Sequence, residues 1–294
     1  MNAALLLQTL VDGLILGGIF SLSAVGFSLI FGVLGVVNLA HGVFIIGGAY
    51  LGLWLKKALG LDPLASIPVV FAMLFVIGAA LQRTLVATAI QRGSLMTSLL
   101  ITFGASLILR DALIMAFGPD IQTLSSAWLL RTFHVGSVVV DGARATGLIA
   151  SLVLLALLAL VLNAMKVGRA IRATAQQSFA AGLCGVDADR IYTLTFGVSA
   201  GFAGASGIII GMINPFSPFD DASWTLNAFV TVVLGGVGSP LGALLGGLML
   251  GEISTLSSQY IGPRFPTVFI FCALLLMLIV RPNGLLGNAY KASV

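Results

Sequence analysis

No charged residue interrupts the chain from Gly13 through Leu55. A bilayer hydrocarbon core about 30 Å thick needs roughly 20 apolar residues per helix, so this run holds two crossings. The apolar segments read as Leu10–Phe31, Asn38–Leu55, Leu64–Leu81, Ser94–Phe117, Thr146–Met165, Ile191–Ile213, Ala222–Leu250 and Thr267–Val280. They predict an all-α integral membrane protein, a polytopic helical bundle of about eight spanning segments that include broken or re-entrant helices. The polar stretches from Gly118 to Ala145 and from Lys166 to Arg190 are too short to fold as separate domains, so residues 1–294 read as one membrane domain.

Two interruptions break the apolar pattern. Between Gly35 and Gly42 the sequence GVVNLAHG sets flexible and polar residues at membrane depth, where exposed backbone is tolerated only against protein or a watery path. Asn38 is suited to cap a new helix whose first turn holds His41. An intramembrane His needs a polar partner or a wet cavity. A backbone carbonyl of a neighbouring helix would serve as well as a functional partner. Between Leu234 and Pro240 three glycines, Gly235, Gly236 and Gly238, disfavour a continuous helix, while Ser239 followed by Pro240 is a favourable N-cap and first turn. A helix N-terminus inside the bilayer presents its positive dipole end to an anionic group; the alternative is a kink that serves packing alone. These breaks nominate Asn38, His41, Tyr50, Thr231, Gly235, Gly236, Gly238 and Ser239 for a transport pathway.

Composition agrees with the pattern. Hydrophobic residues make up 59% and charged residues 8% of the chain, against about 25% charged in soluble domains. The net charge of +4 is spread thinly, with Lys56-Lys57 the longest basic run, which suits an anionic leaflet and not a nucleic acid. The N-terminus lacks the basic region of a signal peptide, so the first run is expected to stay as a spanning helix. Cys184 and Cys272 are expected to be free thiols. Loop charges tie at seven on each side if every segment simply crosses. If the Ala222–Leu250 segment is broken, the C-terminus joins the side of Arg83 and the count becomes eight against six. The positive-inside rule then places the cytoplasm on the Lys166–Arg190 side.

Small residues recur four apart at Gly13/Gly17, Gly48/Gly52, Gly197/Gly201, Gly207/Gly211, Gly242/Gly246 and Gly247/Gly251, the spacing that lets helices approach closely in lipid. Most are expected to pack within the subunit. No phosphate-binding loop, nucleophile elbow or metal-ligand cluster is present, so no catalytic or metal residue is nominated and no cofactor is expected; ATP would have to bind another chain. Acidic residues that could couple transport to an ion are few. Asp12 stands three after Thr9, a capping-box spacing at the start of the first helix. Arg110-Asp111 sits near the end of the fourth segment, and Glu252 closes the seventh. The segment from Gly168 to Asp187, with Arg169, Arg172, Ala173, Ala180, Ala181, Gly182 and Gly185, reads as a short surface helix ended by glycine, with Asp187 capping the next span. Its small-residue face suits docking into a partner groove.

Asn38 through Gly42, Gly47 through Tyr50, the Arg172–Val186 loop, Phe202 through Gly204 and Val233 through Gly238 together resemble the branched-chain amino-acid ABC transporter permeases, over nearly the whole chain and most closely the shorter of the two permease subunits. The resemblance implies a second homologous permease subunit, two cytoplasmic ATPase subunits, a periplasmic substrate-binding protein and the lipid of the bacterial inner membrane as partners, with no nucleic acid. It also implies that the Gly168–Val186 segment, within a cytoplasmic loop over 166–190, couples the permease to the ATPase. Val43 departs from the family pattern, where many relatives carry a polar or acidic residue. The rival readings are an ion-coupled secondary transporter and a passive channel for small polar solutes such as urea.

Overall fold

The computed structural model describes residues 3–88, 95–126, 132–135 and 138–286. Its helices are α1 (Ala3–Leu34), α2 (His41–Leu59), α3 (Pro63–Leu81, continued by a π-helical turn at Gln82–Val86), α4 (Leu95–Phe117), α5 (Gly142–Ala164), α6 (Lys166–Gln176), α7 (Ser178–Leu183), α8 (Ala188–Ile213), α9 (Asp221–Gly235), α10 (Pro240–Tyr260) and α11 (Pro266–Val280). Strands β1 (Thr132–Val135) and β2 (Val138–Asp141) form an antiparallel hairpin before α5. Among the described residues, seven helices are long and apolar enough to cross a bilayer, and α11 is a shorter apolar helix. The protein is therefore an all-α, multi-pass membrane bundle.

Interlocked glycines set the packing. Along α1 and α10, Gly13 faces Glu252, Gly17 faces Leu248, Ser21 faces Gly247 and Gly32 faces Gly238, an antiparallel pair in backbone contact. Helices α3 and α8 form a second antiparallel pair, with Gly197 against Phe75, Gly201 against Phe71 and Gly204 against Leu74. In lipid the hydrophobic effect does not drive helices together, so this close van der Waals fit does. Glycines from all six spaced pairs meet residues of this same chain.

The same sequence of parts occurs twice. A long helix, an extended link, a helix that begins inside the membrane and a further long helix make up α1–α2–α3, and again α8–α9–α10. Helix α2 begins opposite Ser23, in the middle of α1, to which His41 bonds. It then lies parallel to α8, with Ile45 beside Gly207 and Ala49 beside Gly211. Helix α9 lies parallel to α1, with Phe20 against Trp224 at 5.9 Å and Phe27 against Phe229 at 6.2 Å between ring centroids. The two triplets run in opposite directions, an inverted repeat of the kind from which transporters build sites near the bilayer midplane.

The Ala222–Leu250 segment is not one crossing. It divides at Gly236–Ser239 into α9 and α10, and α11 brings the chain back so that Leu285 and Leu286 bond to Leu234 and Gly235. Arg281 thus lies on the side that holds Arg83, Lys166, Arg169, Arg172 and Arg190, while Arg264 lies opposite with Lys56, Lys57 and Arg144. This is the broken-segment arrangement, in which the basic residues favour the Lys166–Arg190 side as cytoplasmic. Arg92, Arg131 and Lys291 of the loop count lie outside the described residues.

Three local expectations need correction. Asp12 does not start a helix: α1 begins at Ala3, the Thr9 hydroxyl donates to the Leu5 carbonyl at 2.8 Å, and Asp12 pairs with Arg144 of α5 at 3.2 Å. A run of apolar residues before a charged pair continued the helix past the apparent cap. Glu252 does not close a span; it lies in the interior of α10 against Gly13. Asn38 does not occupy the N-cap position of α2, which belongs to Ala40. The Asn38 carboxamide instead accepts the Ala40 N–H at 3.1 Å, a local turn ahead of the helix. By contrast Asp187 and Ser239 cap α8 and α10 as their spacing suggests, accepting from the N–H groups of Arg190 and Gly242 at 3.1 and 3.0 Å. Cys184 and Cys272 are free and exposed.

Candidate functional site

Two helix N-termini, those of α2 and α9, meet inside the membrane. The Gly42 N–H donates to the Thr225 hydroxyl oxygen at 2.8 Å, and that hydroxyl donates to the Asp221 carbonyl at 2.9 Å. A Cβ on Gly42 would overlap the Asp221 carbonyl oxygen, so only glycine permits this approach. The Leu39 N–H donates to the Thr102 hydroxyl of α4 at 3.2 Å. Both N-termini carry positive dipole ends, and Asp221, 2% exposed, places a carboxylate between them. Arg110 of α4 answers that charge, donating from Nε at 3.1 Å and Nη2 at 2.9 Å to Asp221 Oδ2. Arg110, 23% exposed at the side chain, thus turns its charge inward onto α9.

His41 is 0% exposed. Its Nε2–H donates to the Ser23 carbonyl at 2.7 Å, and its ring meets Phe27 edge-on at 5.4 Å. This is the carbonyl of a neighbouring helix that an intramembrane His can use. Around the two half-helices, four buried polar atoms have no partner among the described residues: Asn38 Nδ2, His41 Nδ1, Asp221 Oδ1 and Thr231 Oγ1. Buried groups are normally satisfied, and each exception calls for an explanation. Tyr50, 0% exposed, is held nearer the outer side, stacked on Phe117 and edge-on to Phe216 at 5.0 Å each, with its hydroxyl 3.4 Å from the Asp120 carbonyl.

At the second break Gly236 and Gly238 take φ of 109° and 77°, values that side chains disfavour. Gly235 packs directly on the Gly242 carbonyl. The carbonyls of Leu234 and Gly235, freed by the break, accept from the N–H groups of Leu285 and Leu286 at 3.0 and 2.9 Å. The break is thus a satisfied structure, not a local melt. Removing the Ser239 cap by Ser239→Ala is expected to destabilise the α10 start by about 1 kcal/mol, read as faster amide hydrogen exchange at Gly242 and Ala243 with the rest of the bundle unchanged.

The Gly168–Val186 segment forms two helices on the Arg83 side. Gly168 sits on the Val161 and Leu162 carbonyls where no Cβ fits, the Arg172 guanidinium donates to the Leu162 carbonyl, and Ile171 and Thr174 are buried. Helix α6 is therefore braced against the end of α5, with Arg169 exposed and Ala173 half-buried. In α7, Ala181 is buried while Ala180 and Gly182 are exposed, and Gly185 ends the helix at φ 82°. Phe179 and Leu183, four residues apart on one face of α7, are 75% and 77% exposed. Sequence reasoning missed this pair, although an i, i+4 apolar pair in a polar loop is a legible sign. It also missed the Arg110–Asp221 pair, which nothing local announces across 111 positions.

An inverted repeat of long and interrupted helices, with two dipole ends meeting inside the membrane, defines a multi-pass membrane protein of the transporter class. Residues 9–280 match the family described as the permease component of branched-chain amino acid transport systems, and the chain belongs to that family. It is 30% identical over 298 residues to the high-affinity branched-chain amino acid transport system permease protein LivH of Salmonella typhimurium, covering 96% of each chain. It is 29% identical over 300 residues to the corresponding BraD of Pseudomonas aeruginosa, again covering 96% of each. A probable branched-chain amino acid transport permease of Methanocaldococcus jannaschii is 27% identical over 304 residues, with 98% of this chain and 96% of the relative covered. No solved structure matches the chain.

Proposed function

We propose that this chain is the shorter permease subunit of an ABC importer in the bacterial inner membrane, translocating leucine, isoleucine, valine or related small amino acids. A periplasmic binding protein delivers the substrate, a second homologous permease completes the pathway, and two cytoplasmic ATPase subunits supply ATP hydrolysis. The likeness to named branched-chain permeases over 96% of their length supports the substrate class. The observation that carries the mechanism is α7, a surface helix that holds Phe179 and Leu183 in the open beside a braced α6. Exposed apolar anchors in a small-residue frame suit insertion into a partner cleft. Gly168, Arg169, Arg172, Ala173, Ala180, Ala181, Gly182 and Gly185 form the frame that transmits the pull to α5, α1 and α8, against which the segment packs.

The pathway in this proposal passes the half-helix ends. Asn38, His41 and Thr231 are buried with unpartnered polar atoms, so they meet the substrate only when α2 and α9 part. Gly235, Gly236, Gly238 and Ser239 form the inner end of that route and Tyr50 its outer end.

The test is reconstitution. In liposomes with the partner permease, the ATPases and the binding protein, uptake of labelled leucine is expected to require ATP. The purified chain alone is expected to accumulate none. Accumulation by the chain alone under a proton or sodium gradient overturns the reading. The Gly182→Arg variant sharpens the result, because a side chain at Gly182 meets nothing within 4 Å of its Cβ. It is expected to insert normally and lose ATP-driven uptake. Ala181→Asp is a poorer probe, since Ala181 is itself buried.

A further inference from the structure

A cavity of about 490 Å³ opens between α1, α5, α6 and the start of α10. That is within the size class of small-molecule sites, roughly 300–1,000 Å³. Its floor is α1 from Val25 to Val33, one wall is α5 from Leu152 to Asn163, and the other is α10 from Ser239 to Leu244. Apart from a few polar groups the lining is aliphatic, and the rims carry Leu152 and Leu241, 47% and 67% exposed at membrane depth. Along α5 the groove covers eleven steps from Leu152 to Asn163, about 16 Å at the helical rise of 1.5 Å per residue. A single leaflet contributes about 15 Å of a 30 Å hydrocarbon core. The groove thus has the depth of one leaflet and ends where that leaflet's headgroups lie.

Its end beside α6 is basic. Arg172 lines the groove there. One of its guanidinium N–H groups is used on the Leu162 carbonyl, and a guanidinium has five. Lys166 and Arg169 stand exposed on the same helix, and α6 contains no acidic residue. Clusters of Lys and Arg at a membrane surface attract anionic headgroups.

We propose that this groove is a binding site for one anionic phospholipid of the cytoplasmic leaflet. An acyl chain lies on α1 between α5 and α10, and the phosphate lies beside Arg172. The occupied groove bridges α6 and the α10 start at Gly238–Pro240, which line it from opposite sides. The assignment of the leaflet rests on the proposed cytoplasmic side; the site itself does not, and its test involves no transport.

The experiment is native mass spectrometry of the purified full chain in mild detergent, with added phosphatidylglycerol or phosphatidylcholine. The wild type is expected to retain one phosphatidylglycerol and to prefer it to phosphatidylcholine. Arg172→Gln is expected to reduce that preference about fivefold, the effect of one basic residue at an anionic surface. Ala159→Phe fills the groove from an exposed position on α5 and is expected to lose the bound lipid at an unchanged thermal midpoint. Ala156→Phe repeats the test one turn away if the first variant does not fold. Equal retention of the two lipids by the wild type, or wild-type retention by a folded groove-filled variant, overturns the proposal.

Discussion

Phe179→Asp and Leu183→Asp are each expected to stop ATP-driven uptake while the permease still inserts and keeps its thermal midpoint. Both side chains are more than 70% exposed, at 75% and 77%, so neither variant removes a core contact or buries a charge within this chain. Truncating an apolar anchor at the centre of an interface commonly costs about 2 kcal/mol or more, roughly a 30-fold loss of affinity. A charge forced into the same pocket adds the desolvation of an unpaired carboxylate. Association with the ATPase subunits, measured by co-purification and by binding to immobilised permease, is expected to fall with uptake. Retained ATPase binding by both variants would remove α7 from the interface. A fall in thermal midpoint would instead show that α7 packs within this chain.

Arg110→Met is expected to be the most damaging single change inside the membrane. Arg110 is 23% exposed and Asp221 only 3% at the side chain. Removing the Arg leaves the Asp carboxylate buried between two helix ends with its counter-charge gone. Breaking a buried pair from one side costs about 3–5 kcal/mol, and partial exposure of Arg110 places this site toward the lower end. The asymmetry gives the signature. Asp221→Asn is milder, because its amide needs no counter-charge and the freed Arg110 already reaches solvent or headgroups. The double variant Arg110→Met with Asp221→Asn recovers much of the stability lost in Arg110→Met alone. Thermal unfolding of the four proteins in one detergent closes the cycle. Equal loss from each single change, with no recovery in the double, would mean that packing rather than charge holds α4 to α9.

The geometry also bears on the rivals to ATP-driven import. An ion-coupled carrier needs a titratable group placed to exchange its ion. The buried acid at the meeting of the half-helices, Asp221, is committed to Arg110, and Asp12 is committed to Arg144. These pairings remove two acids from ion exchange, whereas Glu252 in α10 keeps Oε2 buried without a partner among the described residues, so uptake by the chain alone is the test that decides against the ion-coupled reading. The Gly42–Asp221 contact shows that the half-helices close backbone to backbone.

Much of this architecture is legible along the chain because lipid enforces simple rules. Apolar length reports each span, and the Ser239-Pro240 and Asp187 signals report where helices restart. The failures occurred where a local signal competed with a longer one. Thr9 and Asp12 carry the spacing of a cap, but the apolar residues ahead of them extend α1 back to Ala3. Glu252 directly follows the apolar run that stops at Leu250, but the helix continues through the polar residues to Tyr260 and so holds Glu252 inside α10.

The sequence by itself determined that this is a membrane protein with two interruptions and a basic surface segment, and the resemblance of its motifs named its family. Those conclusions depend on composition, periodicity and nearest neighbours, which a linear chain displays. Tertiary structure alone decided that α2 and α9 meet end to end, that Arg110 neutralises Asp221, and that Phe179 and Leu183 point outward. It also set the groove over α1 beside the coupling helix. The half-helix meeting, the ion pair and the groove are juxtapositions of residues distant in the chain, which no local pattern encodes, while the exposure of Phe179 and Leu183 depends on nothing else in the chain packing over them.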